Sequence, residues 1–173
     1  MRSLDETARD AQRGDTDALE SLLRAVQSDV WRFATYLTSQ NVGDDLAQES
    51  LVRVIEHLDR WHRGPVRAWI LGVTRNVCRE HIARTSRRRT DPVATLPDPT
   101  TPDHTGYVDT LALLQGLIPE QGEAIVLTQL LGLSYAEAAE VAGCPIGTIR
   151  SRVARGRTDL AEAAASYQRR DLG

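Results

Sequence analysis

Residues 131–157 read LGLSYAEAAEVAGCPIGTIRSRVARGR, and this stretch constrains the fold more than any other. Ser134 followed by Glu137 has the spacing of a capping box, which opens a short alanine-rich helix. Gly143, Cys144 and Pro145 end that helix, and a second helix is predicted over residues 148–157. Two short helices about such a turn form a helix-turn-helix, a layout that lays its second helix in the major groove of DNA. On a 3.6-residue period Ile146, Ile149, Val153 and Leu160 make one apolar stripe, while Gly147, Ser151, Ala154 and Arg155 centre the opposite face, flanked by Arg150 and Arg152. No acidic residue lies between positions 144 and 157. The outward face therefore carries arginines and no acid and is suited to guanine edges and phosphates, with Thr148, Arg150, Ser151, Arg152, Ala154 and Arg155 as candidate contacts.

The charge of the whole chain supports a polyanionic partner only in places. A formal net charge of −3 conceals alternating blocks. Residues 1–59 carry six arginines against twelve acids, and residues 60–90 carry nine against one. Residues 91–144 carry none against eight, and residues 145–173 carry six against three. Two basic islands in an acidic chain bind nucleic acid only where geometry aligns them. All 21 basic residues are arginine, which suits bidentate contact to phosphates and bases.

Apolar residues at Leu19, Leu22, Leu23, Val26, Val30, Phe33 and Leu37 predict a long amphipathic helix over residues 15–38. A second helix is expected after Asn41, Val42 and Gly43, with Leu46, Leu51, Val54, Ile55 and Leu58 inward and with Asp44, Asp45 and Glu49 near its start, where the helix dipole favours negative charge. A third is expected from Pro65 to about residue 84, with Val66, Trp69, Ile70, Val73 and Val77 on one face. Arg75, Asn76 and Arg79 project from its other side, inside the basic island, which favours DNA contact. Residues 90–107 hold four prolines and almost no apolar side chains, a linker composition. The expected fold is all-α: a helical domain over residues 11–90, a proline-rich linker over 91–107, and a helix-turn-helix domain over 108–168. In the second domain one helix ends near Leu117 and another runs from Pro119 to about Gly132. Gly122 and Gly156 sit within helices there, each costing up to about 1 kcal/mol of propensity and, for Gly156, loosening the end of the second motif helix.

Three motifs in order resemble the extracytoplasmic-function class of bacterial sigma factors in the sigma-70 family. DDLAQESL at residues 44–51 is similar to the family's region 2.2, RAWILGVTRN at 67–76 to regions 2.3 to 2.4, and GTIRSR at 147–152 to region 4.2. The resemblance covers residues 11–160. It implies a promoter-specificity subunit of RNA polymerase, whose first domain reads and melts the minus-10 element and whose second reads the minus-35 element as duplex. It places the capture of a flipped minus-10 base in the loop DRWHRG at 59–64, where Trp61, His62 and Arg63 offer stacking and hydrogen bonding; the other reading of Trp61 is a half-buried residue of a surface loop. It also implies that Asp44, Asp45, Leu46, Gln48 and Glu49 dock on the clamp helices of the polymerase beta-prime subunit. The implied partners are core RNA polymerase, through those clamp helices and the beta flap, and promoter DNA. An anti-sigma factor is a further partner class for which the residues show no separate motif.

Other classes fit less well. A dimeric helix-turn-helix regulator acting without polymerase leaves the basic island of the first domain unexplained. Catalysis is not expected, because His57, His62, His81 and His104 are scattered and no nucleophile set or phosphate-binding loop is present. Asp44, Asp45 and Glu49 lack the histidine or phosphate that would recommend a metal, so neither metal nor cofactor is expected. Cys78 and Cys144 have no partner at metal spacing and are expected to be core thiols. The polar amino terminus and the absence of a long apolar run predict a cytoplasmic protein with no membrane segment.

Overall fold

The computed structural model describes residues 2–88, 110–111 and 113–170. The chain divides into two compact units, Met1–Pro97 and Asp98–Gly173. The expected linker, residues 91–107, lies outside the described residues.

The described residues of the first unit form four α-helices. Helix α1 (Leu4–Gln12) opens on a full capping box between Ser3 and Glu6. It precedes the expected domain start at residue 11, so the unit begins earlier than the sequence reading placed it. Helix α2 (Thr16–Leu37) starts where expected, with the Asp15 carboxylate accepting from the Ala18 N–H at 3.0 Å. Helix α3 (Gln40–His57) begins before Gly43 rather than after it. Asp44 and Asp45 consequently lie in its second turn, beyond the first turn where the dipole acts most strongly. A single 3₁₀ turn (Leu58–Arg60) and a short loop lead into α4 (Val66–Arg88), which runs past the expected end.

These helices bury one continuous core. Leu22, Val26, Val30 and Ala34 of α2 meet Leu46 and Val54 of α3 and Val66, Ile70 and Val77 of α4, with Ala8 of α1 against them. Each such large side chain removed from water contributes about 1.5–3 kcal/mol. Helices α2 and α3 approach closely at Gly43, where an added Cβ would lie 2.5 Å from Thr35 Oγ1 and 2.8 Å from the Thr35 backbone. Ile55, expected inward, is 46% exposed. The buried positions of α3 are Gly43, Leu46, Ala47, Ser50 and Val54, and Ile55 falls off the edge of that stripe.

In the second unit residues 110–111 and 113–115 are helical. Helix α5 (Pro119–Ile125) then widens into a π turn (Val126–Leu130) that ends in a left-handed Gly132. Helices α6 (Tyr135–Ala142) and α7 (Ile146–Arg170) follow. Helix α7 is much longer than the expected 148–157. Its buried side packs on α5 at Gly156, where a Cβ would meet Ile125 Cδ1 at 2.7 Å and Gln121 Cβ at 3.3 Å. Gly156 is thus a point of close helix approach rather than a loosened end.

Candidate nucleic-acid interface

The geometry of the second unit begins with its turn. Ser134 Oγ accepts from the Glu137 N–H at 3.2 Å, and a Glu137 carboxylate oxygen accepts from the Ser134 N–H at 2.8 Å, which completes the capping box. Gly143 adopts φ +64°, and the Cys144 N–H reaches back to the Ala139 carbonyl at 3.1 Å, closing α6. Pro145 then delivers the chain into α7, whose Thr148 N–H bonds its carbonyl at 2.9 Å.

On α7, Ile149, Val153 and Gly156 are buried and Leu160 is half-buried. Ile146, expected in the same stripe, is the first residue of α7 and is 42% exposed. Arg150, Ser151, Ala154 and Arg155 are exposed together on the outward side, and Thr148 is half-buried at its margin. Arg157 is also exposed, about 10 Å farther along the same side of α7 as Arg150, and was not singled out in the sequence; its recurrence seven residues after Arg150 was the available signal. Arg152 is half-buried and donates to Cys144 Sγ at 3.6 Å, which ties it to the turn. Cys144, expected to be a core thiol, is only half-buried, whereas Cys78 is fully buried as expected and its thiol is pushed up to about 12 by burial.

In the first unit the loop after α3 differs from the expectation in one respect. Trp61 is only 3% exposed, and its indole N–H donates to the Gly64 carbonyl at 3.1 Å. The ring belongs to the core cluster and is covered on one side by the Arg9 guanidinium, so the tryptophan anchors the loop and offers no free stacking surface; the half-buried reading of this residue is the nearer one. His62 and Arg63 beside it are exposed. Farther along α4, Asn76 and Arg79 are exposed and Arg75 is half-buried, roughly 14–20 Å from the helix start at 1.5 Å per residue. Arg67 is held by Asp29 at 2.7 Å.

The acidic cluster of α3 divides between structure and surface. Leu46 is 4% exposed and belongs to the core, which removes it from the set of docking residues. Asp44 accepts from the Trp31 indole N–H. Glu49 pairs with Arg53 at 2.8 Å, and Arg53 also pairs with Glu80 of α4 at 2.9 Å. The Glu80 hydrogen bond, ahead of the Glu49 pairing, raises the Arg53 pKa. Asp44, Asp45 and Gln48 are exposed, and Val52 (51% exposed) continues the strip of Asp45 and Gln48 toward Ile55.

Comparisons with known proteins decide what this arrangement belongs to. Residues 22–88 match Sigma-70 region 2, and residues 108–160 match Sigma-70, region 4. The ECF RNA polymerase sigma factor SigC of Mycobacterium tuberculosis is 43% identical over 163 residues, covering 87% of this chain and 85% of that protein. The chain belongs to the ECF sigma factors of the sigma-70 family. The ECF sigma factor EcfG of Rhodopseudomonas palustris is 33% identical, covering 84% of each chain. Among solved structures, the sigma factor RpoE of Bartonella quintana, in complex with the anti-sigma factor NepR, matches with a TM-score of 0.69 and 31% identity, covering 83% of this chain and 94% of that one. CnrH in complex with the cytosolic domain of CnrY shares the fold, with a TM-score of 0.75 at 23% identity, covering 95% and 99%.

This sigma factor binds core RNA polymerase and directs promoter-specific initiation, recognising minus-10 and minus-35 elements and assisting promoter melting. A free-standing regulator is not favoured, since region 2 and region 4 matches occupy the two units. Among the described residues no helix is long and apolar enough to cross a membrane.

Proposed function

We propose that the outward face of α7 reads the minus-35 element and that the loop before α4, with the exposed face of that helix, reads the minus-10 element. Arg155 and Arg150 reach base edges, Thr148, Ser151 and Ala154 line the groove between them, and Arg152 lies at the phosphate margin. At minus 10, His62 and Arg63 meet the displaced base, and Arg75, Asn76 and Arg79 follow the backbone. The observation that carries this reading is the exposed arginine face of the first three turns of α7, residues 146–157, which hold no acid and are fixed by a buried Ile149, Val153 and Gly156 stripe. A helix fixed in this way presents its guanidinium groups without rearrangement.

Core polymerase docks on α3. Asp44, Asp45 and Gln48 supply polar contact and Val52 and Ile55 apolar contact to the clamp helices of the beta-prime subunit, with Asp44 steadied by Trp31 and Glu49 acting beside them through Arg53. The second unit meets the beta flap. An anti-sigma factor, the class of partner named for the Bartonella quintana relative, competes for the same α3 strip and holds the sigma factor off polymerase.

Run-off transcription with purified core polymerase tests the assignment. A promoter-dependent transcript is expected only when this chain is added. Asp45→Arg combined with Gln48→Ala is expected to lower core affinity by a few kcal/mol at most, about what losing rim polar contacts costs, with the helical fold retained. Undiminished core binding by the folded double variant removes α3 from the docking surface.

A further inference from the structure

Three side chains of α1 at helical spacing, Asp5, Arg9 and Gln12, all reach the loop between α3 and α4. The single Gln12 amide nitrogen donates to two carbonyls, those of Leu58 and Trp61, both at 2.7 Å. The Trp61 N–H also bonds the Leu58 carbonyl, at 3.1 Å, so one glutamine ties both ends of the turn that enters the loop. The Arg9 guanidinium stands 5.9 Å from the centre of the Trp61 ring. At the loop's exit the Asp5 carboxylate accepts from the Val66 N–H at 2.8 Å, satisfying a donor that the first turn of α4 cannot use internally. The loop is thus held at its entry and its exit by one face of one helix, and His62 and Arg63 stand exposed between those anchors.

A loop that captures an unstacked base must otherwise lose its conformational freedom at the moment of capture, and this weakens binding and blurs discrimination. Contacts that fix its backbone beforehand remove that cost. We propose that α1 is a brace that presets the minus-10 reading loop, with Gln12 its principal positioning residue; the inference rests on assigning that loop to minus-10 recognition. Residues of α1 then govern base preference without touching DNA.

The test uses the full chain in complex with core polymerase and a panel of promoters differing at single minus-10 positions. Gln12→Ala and the isosteric Gln12→Glu, which has no N–H to donate, are each expected to reduce minus-10 discrimination about five-fold. Core affinity and minus-35 preference are expected to stay at the parental level, which a general loss of stability would not leave intact. Gln12→Lys, which restores donors toward the same carbonyls, is expected to recover most of the discrimination. If the Gln12 variants do not fold, Arg9→Ala, which truncates an exposed side chain and removes its guanidinium from the Trp61 ring, is expected to lower the same ratio about two-fold.

Parental discrimination in the folded Gln12 variants, or in Arg9→Ala where those do not fold, overturns the brace, as does a decline shared equally by core affinity and minus-35 preference. A double His62→Ala, Arg63→Ala variant separates the two ideas. If it changes minus-10 preference while the α1 variants do not, the loop assignment stands and the brace fails. If it changes nothing, the loop assignment itself fails, and the brace with it.

Discussion

Arg155 and Arg152 share a helix but occupy different surroundings, and the difference sets what each does. Arg155 is exposed on the outward face, whereas Arg152 is half-buried and held to Cys144 at the turn. Arg155→Ala is expected to cost about 1–3 kcal/mol on the preferred promoter and to relax discrimination at one base pair, as the loss of a bidentate base contact does. Arg152→Ala is expected to weaken all sequences alike and to make the salt dependence shallower by about one unit of slope. Binding to single-base promoter variants at several salt concentrations measures both, and unaltered base preference in Arg155→Ala would show that the reading face is misplaced. The outward position of Arg155 was legible from the 3.6-residue period alone. The tether on Arg152 was not, because it depends on where Gly143 turns the chain. Trp61 and Leu46 show the same limit, since a residue type that suits a surface role can equally fill a core, and only packing settles which.

At the level of elements, the long helix α2 was readable to within a residue at each end, because its apolar stripe is long and Asp15 caps it. Helix α1 was missed although Ser3 and Glu6 have capping-box spacing and Leu4, Ala8 and Ala11 recur at helical intervals. Nine residues with a narrow apolar stripe form a helix chiefly because the rest of the unit receives them. Helix packing also reverses the meaning of a glycine. Gly43 within α3 looks like a propensity defect worth about 1 kcal/mol relative to alanine. Since a Cβ there would meet Thr35 backbone at 2.8 Å, Gly43→Ala is instead expected to destabilise the protein by about 1–3 kcal/mol. Gly156→Ala is expected to cost less, because its nearest obstacle is the flexible tip of Ile125. Denaturant unfolding of the two variants gives the comparison, and a stabilised Gly43→Ala variant would contradict the close approach of α2 and α3.

For the whole molecule, each unit holds its own buried core, so polypeptides spanning residues 1–97 and 98–173 are each expected to unfold cooperatively when made separately. Thermal melts followed by circular dichroism check this, and a gradual, non-cooperative loss of helix in either fragment would overturn it. The division between two helical units, the all-α class and the arginine face of α7 were determined by sequence alone, because helical periodicity, capping spacing and charge blocks are local along the chain. What tertiary structure decided is which members of each local pattern are spent on the core. Leu46 and Trp61 are enclosed while Val52 and Ile55 are left outside, and Asp5, Arg9 and Gln12 of α1 reach a loop about fifty residues farther along. Such contacts arise only when distant segments pack together, and no period within a single helix encodes them.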